Sequence, residues 1–498
     1  MHEFMQKQVI NLRHISKIAL MQMGAVFLCL VFTSCQTYYE KHYTFNAAFE
    51  AGRIEEAEKI LLDNKPRKRA KDKLIYYANL GTVQSISGKY EASNEVLEKG
   101  YQFSENKLID LSGEALALLT NPNYTWYKGE KHEMLYLNYY KLLNCLKLGD
   151  LESAQIEARR LYFRGLMVES QARGDESFRR DAWLNYAAGL AFEAAGDVNN
   201  AHVFYKRAVG AYEEYAQFFK SKTPEALKKS VVKTAWLNGF TSDFDFYSKK
   251  FGIQFEASPK NGGTLVLIWH NGLSPVKQEN RINLYLQKGG VSGFQFVNTD
   301  LGFTFPLFID NPSNYNPRNF DNLKVISVAL PTYVDRALNY TAAKVNLNGK
   351  PVEYDKVEDL GDVARKCLKD RILLEYGKAI SRMAIKEGVR MAAKEATRAA
   401  VANSGNPKGQ QNRKETADVA ASLVSFIVNV ANVATEKADT RGWQTLPKEI
   451  YMTKVEVPAG EHTLTFSAFN KLTGQQIERS IEVDVAAGQT VVRSMTTF

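Results

Sequence analysis

Between residues 44 and about 251 apolar positions recur at the three-to-four-residue spacing of amphipathic helices, and one short motif breaks the pattern repeatedly. It reads glycine, any residue, an apolar residue, two more, then a small residue. The copies are Gly52-Arg53-Ile54-Glu55-Glu56-Ala57, Gly88-Lys89-Tyr90-Glu91-Ala92-Ser93, Gly149-Asp150-Leu151-Glu152-Ser153-Ala154 and Gly196-Asp197-Val198-Asn199-Asn200-Ala201. Glycine closes a helix in the left-handed conformation, the apolar residue seats the turn, and the small residue admits the next helix closely. Stacked helical pairs are predicted.

The period changes near Ser258-Pro259-Lys260-Asn261-Gly262-Gly263. Strand-length apolar runs follow at 264–269, 282–286, 294–297, 303–309, 325–330 and 343–347, separated by turn clusters. Helical spacing returns from about Val357 to Asn403 and from Thr416 to Lys437. Alternating strands at 450–457, 462–469, 476–485 and 490–496 close the chain. The expected fold class is α+β: a helical repeat array, then an antiparallel β domain interrupted by a long helical hairpin. The boundaries read 44–255 for the array, 256–356 and 438–498 for the two parts of the β domain, and 357–437 for the hairpin.

The repeat motif resembles the tetratricopeptide repeat. Its fourth copy fits best, with Gly189 seven residues before Gly196, and Tyr205 and Ala208 at the aromatic and small positions of the second helix. The glycines step by 36, 61 and 47 residues, so extra segments interrupt the array. Further segments carry a second resemblance: Asn271-Gly272-Leu273-Ser274-Pro275-Val276-Lys277, Ser327-Val328-Ala329-Leu330-Pro331-Thr332-Tyr333, Ile380-Ser381-Arg382, and Asp439-Thr440-Arg441-Gly442-Trp443-Gln444-Thr445-Leu446-Pro447. In that order they are similar to a largely uncharacterised family of bacterial envelope lipoproteins with an N-terminal tetratricopeptide-like region and a C-terminal β region. The resemblance implies no catalytic residues.

The N-terminus adds a location. Basic residues precede the apolar run Ile18–Phe32, which is too short to be read as a membrane span. It ends in Phe32-Thr33-Ser34-Cys35, which resembles a bacterial lipobox: residues 1–34 are read as a signal peptide, Cys35 as the lipidated residue, and 35–43 as a tether. Gln36 is not the Asp of inner-membrane retention, and residues 36–41 lack the acidic run of a surface-export signal. The expectation is an outer-membrane anchor facing the periplasm. Cys145 and Cys367 then remain as thiols inside helical patterns and read as buried small hydrophobes.

Composition excludes several classes. Hydrophobic residues make up 45% of the 498 and charged residues 24%, the balance of a folded globular chain. Four cysteines form no disulfide framework. The net charge of +9, from 64 Lys+Arg against 55 Asp+Glu, is mild for this length, and no nucleic-acid partner is expected. No nucleophile elbow, phosphate-binding loop or zinc-helix motif is present, and no two histidines have metal-ligand spacing. No cofactor, metal or catalytic residue is therefore expected.

Two features are candidate contact sites. His270-Asn271-Gly272, followed by Lys277, reads either as a ligand-binding loop or as a turn made by Asn-Gly. Lys378, Arg382, Lys386, Arg390, Lys394 and Arg398 place a cation every fourth residue. That stripe is either a solvated face with local ion pairs or a contact for an anionic surface. The apolar helix 417–434, rich in Ala and Val, reads as buried or as an interface, and the hairpin as an exposed association surface, with itself or with a partner. Together these lead to a non-enzymatic envelope scaffold. It would bind protein partners in the concave groove of its repeats and on its β domain, and be held to the membrane by its lipid. An accessory activator of a cell-wall or secretion machine, and an enzyme with an unrecognised site, are the alternatives.

Overall fold

The computed structural model describes residues 36–65, 71–108, 125–170, 178–255, 261–288, 294–298, 303–306, 325–372, 375 and 437–498. Cys35, the six-cation stripe from Lys378 to Arg398 and the apolar helix 417–434 lie outside the described residues. Residues 42–385 and 437–498 belong to one compact unit, described here.

Helices come in consecutive pairs: α1 (Tyr43–Glu50) with α2 (Ile54–Asp63), α3 (Lys73–Ile86) with α4 (Tyr90–Leu108), α5 (Lys131–Leu148) with α6 (Leu151–Ser170), α7 (Ala182–Ala194) with α8 (Val198–Phe218), and α9 (Glu225–Leu237) with α10 (Thr241–Phe251). Each pair turns on a left-handed glycine: Gly52, Gly88, Gly149, Gly196 and Gly239. The same bond forms every time. The N–H after the glycine donates to the carbonyl five residues earlier, as Arg53 to Ala48, Lys89 to Gln84, Asp150 to Cys145, Asp197 to Phe192 and Phe240 to Ala235, at 2.9 to 3.0 Å. The Gly239 turn carries no copy of the motif, because Thr241 and Phe244 stand at the apolar and small positions. At the other four turns the small residues Ala57, Ser93, Ala154 and Ala201 are fully buried.

Twelve strands are described: β1 (Gly262–Leu273), β2 (Val276–Lys288), β3 (Phe294–Asn298), β4 (Phe303–Pro306), β5 (Val325–Val334), β6 (Tyr340–Leu347), β7 (Lys350–Val352), β8 (Asp355–Asp359), β9 (Pro447–Pro458), β10 (Gly460–Asn470), β11 (Gln476–Val485) and β12 (Thr490–Thr497). They build three four-stranded sheets, ordered β12-β1-β9-β8, β11-β10-β6-β7 and β4-β3-β2-β5. The first two use strands from both sides of the predicted helical interruption. Pairing is antiparallel except between β1 and β12, which run parallel with Thr264 opposite Thr490. The first sheet is therefore mixed rather than purely antiparallel. Its strand β1 is central and buried almost throughout, which explains its unbroken apolar run.

The first two sheets pack face to face around Leu265, Leu267, Trp269, Val457, Phe466, Val483 and Val485. The opposite face of the first sheet meets the helices. The start of the predicted hairpin differs from expectation. Val357 lies in β8, and a helix, α11, runs only from 360 over its described stretch to 372. The Asp359 side chain accepts from the Asp362 N–H at 3.1 Å, so a cap two residues after Val357 sets the helix start. Leu360, Val363, Ala364 and Cys367 are buried, so this first part of the hairpin is core and not an exposed extension.

Candidate functional site

The first helices of successive pairs face the first sheet. From α3, Asn79 accepts from Thr445 Oγ1 at 3.1 Å. From α5, Tyr139 Oη lies 2.8 Å from His270 Nε2. From α7, Glu193 takes Lys454 Nζ at 2.5 Å, and from α9 Ser230 takes the same ammonium at 2.8 Å. The inner face expected to receive a partner is thus covered by the chain's own β strands.

His270, Asn271 and Gly272 do not form an exposed loop. All three belong to β1, and His270 and Asn271 are buried. The His270 ring contacts Tyr139 and Tyr140, and burial holds its imidazole down to about 3, with Lys147 adding to the effect. Asn271 donates to Tyr340 O at 2.8 Å and accepts from Thr497 Oγ1 at 2.8 Å. Gly272 takes the positive φ that Asn-Gly suggests, but within the strand, where an added Cβ would sit 2.5 Å from Leu338.

Lys277 is buried at the start of β2 and is the centre of a polar junction. Its ammonium donates to Glu130 and, at 2.8 Å, to the carbonyl of Arg441. Glu130 is the N-cap of α5 and forms a reciprocal capping box with Glu133. Arg371, from α11, reaches the same Glu130 oxygen at 2.7 Å. Burial opposes ionisation of Glu130, but Arg371 and Lys277 overcome it and hold the carboxyl at about 2. The second carboxylate of the box, Glu133, accepts from Tyr127 Oη at 2.5 Å and from the Trp443 N–H at 2.7 Å. Arg441 forms a two-pronged pair with Asp439 and donates to Thr125 O at 2.8 Å. The Tyr127 ring lies beneath both Lys277 and Arg441. Lys277 of β2, Tyr333 of β5, whose ring faces the same ammonium at 5.9 Å, and Arg441 converge here with the start of α5. Its chemistry is that of a lock: Lys277, Arg371, Glu130, Arg441 and Asp439 are each tied to a partner across it.

A second junction joins α7 to β8. Asp181 caps α7 by accepting from the Leu184 N–H at 2.8 Å. Glu358 accepts from the Asp359 N–H at 2.8 Å and from Tyr215 Oη at 3.3 Å. Burial pushes Asp181 up to about 7; burial and the nearby Asp181 push Glu358 well above the usual carboxylate range. Asp181 Oδ2 has no N–H or hydroxyl donor, a need that a protonated Glu358 meets.

Beside this pair lies a cleft of about 320 Å³ between the α8–α9 loop, β8 and the start of α11. Its carboxylates are already engaged: Asp355 with the Glu225 N–H, Asp359 with Lys356, and Asp362 with Arg365. Among the described residues no group of three or more His, Cys, Asp or Glu is placed to hold a metal ion, and no helix is long and apolar enough to cross a membrane. Sequence reasoning passed over Glu130, Asp181 and Glu358. Glu130-x-x-Glu133 is a capping-box spacing and Asp181 precedes an apolar helix, so both had a local signal; Glu358 had none.

No protein-family model matches the chain, and no curated protein matches it. Solved structures with helical repeats do. A putative kinesin light chain from Podosopora anserina with nearly identical TPR-like repeats is 14% identical, covering 42% of this chain and 90% of its own, with a TM-score of 0.28. BtubC from P. vanneervenii is 13% identical over 43% of this chain and 81% of its own, with a TM-score of 0.29. A tetratricopeptide repeat protein from Parabacteroides merdae is 14% identical over 44% and 81%, with a TM-score of 0.19. The chain is an α+β protein with a tetratricopeptide-like helical region, an assignment its own five glycine-closed pairs carry.

Proposed function

We propose that this protein is a non-enzymatic scaffold of the bacterial cell envelope, anchored through a lipid on Cys35 at the outer membrane and facing the periplasm. It holds protein partners on the outer surface of its repeats. The observation that carries the reading is the placement of large apolar side chains outside, while the inner face is covered by the chain's own sheet. At the end of the array Phe246 is 55% exposed and Trp236 49% exposed. A terminal repeat normally presents a polar cap, so an apolar end suits a partner. The charged groups at both junctions are committed to holding helices and sheets together, which favours a rigid platform over catalysis. The membership in the envelope-lipoprotein family belongs to the same reading.

Two measurements test it. Cys35→Ala should leave the protein unprocessed and release it from the membrane fraction or block its maturation; unchanged membrane attachment would remove the anchor. Photo-crosslinking in cells from position 246 or 236 should capture an envelope protein, and Trp236→Glu with Phe246→Glu should abolish that capture while the circular dichroism stays unchanged. Equal capture by the double variant would move the binding surface elsewhere.

A further inference from the structure

Strand β12 is an outer edge of the first sheet and pairs with β1 alone. The Thr264 N–H donates to Gln489 O at 2.8 Å, so the main-chain groups of residues 489, 491, 493 and 495 turn toward β1. Those of Thr490, Val492, Ser494 and Thr496 turn away from it. Among the described residues no second strand meets that outward row, and Val492 O receives the Nη1 of its neighbour Arg493 at 3.1 Å. Open sheet edges are ordinarily blunted against stray pairing, and the other edges of this fold are. Strand β7 is three residues long and holds Pro351, β4 is four long and holds Pro306, and β5 holds Pro331. Strand β8 is five residues long with a register shift between Lys356 and Glu358, and β11 carries Glu478, Arg479, Glu482 and Asp484. Strand β12 is eight residues long, with one charge, Arg493, no proline and a regular register. Among the described strands it is the edge left open to pairing.

Two cations at that edge select what pairs with it. Arg493 stands between Val491 and Met495, which pack on the core between the sheets, and it meets no carboxylate among the described residues. Lys147 lies in the last turn of α5, which packs against β12. Its ammonium lies over the Tyr90 ring at 4.8 Å and likewise meets no carboxylate among the described residues. Burial and the nearby Arg493 hold that ammonium down to about 8, and an anion beside the two cations would relieve both effects. A second copy of β12 would bring another arginine and no acid. We infer that the outer edge of β12 is a strand-addition site for an extended acidic segment of a partner protein, laid antiparallel with a carboxylate opposite Arg493.

Main-chain hydrogen bonds supply the affinity and are blind to sequence, while Arg493 and Lys147 supply the selection. Arg493 spends its own main-chain groups on β1, so the residue of the segment opposite it makes no ladder bond. The residues on either side of that one do, with Val492 and Ser494. The edge belongs to the sheet and not to the aromatic end of the array, so the inference stands apart from capture at Trp236 and Phe246 and from the lipid anchor.

The test uses the full chain in detergent with Cys29 and Cys35 replaced by serine. The probe is a fluorescein-labelled pool of peptides of eight residues, the length of β12, with Glu fixed at the fourth position and Val, Ile or Thr elsewhere. Anisotropy at low salt should show binding, and a pool with Lys at the fourth position should bind at least about ten-fold more weakly. N-methylation of the third and fifth amides should weaken binding by about ten-fold or more, and of the fourth amide by less than about two-fold, because the third and fifth donate to β12. Ser494→Pro removes an outward N–H and leaves the ladder to β1 intact, so it should abolish binding with the circular dichroism unchanged. Arg493→Glu should invert the preference between the Glu and Lys pools, and reads the site if the proline variant fails to fold. No binding by the Glu pool, equal binding by the two pools, or an equal effect of methylation at all three amides would overturn the inference. So would peptide-free dimerisation that Ser494→Pro removes, because it would give the edge to a second copy.

Discussion

Asp181 and Glu358 meet as two buried carboxyl groups, one capping α7 and the other ending β8, and Tyr215 completes the contact from α8. The pair favours the folded state most while it retains a proton. Both groups are raised above their unfolded values, so the folded protein binds more protons than the unfolded chain at intermediate pH. Their stabilising contribution is fully present below about pH 4, the unfolded range. It is lost as pH rises through about 7 for Asp181, and further up for Glu358.

Glu358→Gln carries a permanent hydrogen-bond donor in place of the acid proton. It should raise unfolding free energy at pH 8 by on the order of 2 kcal/mol and leave stability at pH 4 nearly unchanged. Urea denaturation at the two pH values reads this directly. An equal shift at both would mean that the pair does not titrate in this range.

Lys277→Met should destabilise by about 3 kcal/mol or more, because Glu130 and the Arg441 carbonyl both lose their buried donor. The pH response is opposite in sign to that of the carboxyl pair. Glu130 is depressed, so its contribution is present above its unfolded value of 4.5 and is lost as pH falls toward about 2. Acid titration of the wild type against Lys277→Met should show the difference between them shrinking below pH 4.

Gly189→Ala tests how closely α7 and α8 approach. A Cβ at Gly189 would lie 2.4 Å from the Tyr205 ring, which is itself buried and bonded to Glu193. The ring cannot retreat without losing that bond. The substitution should cost about 1–3 kcal/mol by thermal or urea melting, whereas Gly210→Ala, where a Cβ meets nothing within 4 Å, should be neutral or slightly stabilising.

The two core thiols should be inert in the folded state. Cys145 and Cys367 are free and buried; burial pushes Cys145 up to about 11 and Cys367 higher still. A thiol reagent at pH 8 should modify neither until denaturant is added. Rapid reaction of either in native buffer would show that its surroundings open.

Local chemistry made the helical pairs legible from sequence. Gly52, Gly88, Gly149 and Gly196 each announce a turn because the left-handed conformation that closes a helix disfavours side chains with a Cβ. The Gly239 pair was hidden because Thr241 and Phe244 replace the apolar and small residues, and tertiary packing supplies what the motif lacks. The strands at 264–269 and 462–469 were equally legible, one by its unbroken apolar run and the other by its alternation. What packs against them was not. Asn-Gly at 271–272 reads as a turn because neighbouring residues alone are visible, yet Asn271 lies in a strand, where Tyr340 and Thr497 satisfy its amide. Lys277 looks like a surface cation until Glu130, 147 residues away, is brought to it. Among the described residues, sequence determined most of the helices and strands, though not β7 or β8, since that depends on the periodicity and turn chemistry of adjacent residues. Only the tertiary structure decided that the inner face of the array is filled by the chain's own sheet and that Lys277 is buried beside Glu130. Those depend on contacts between distant segments, which no local pattern records.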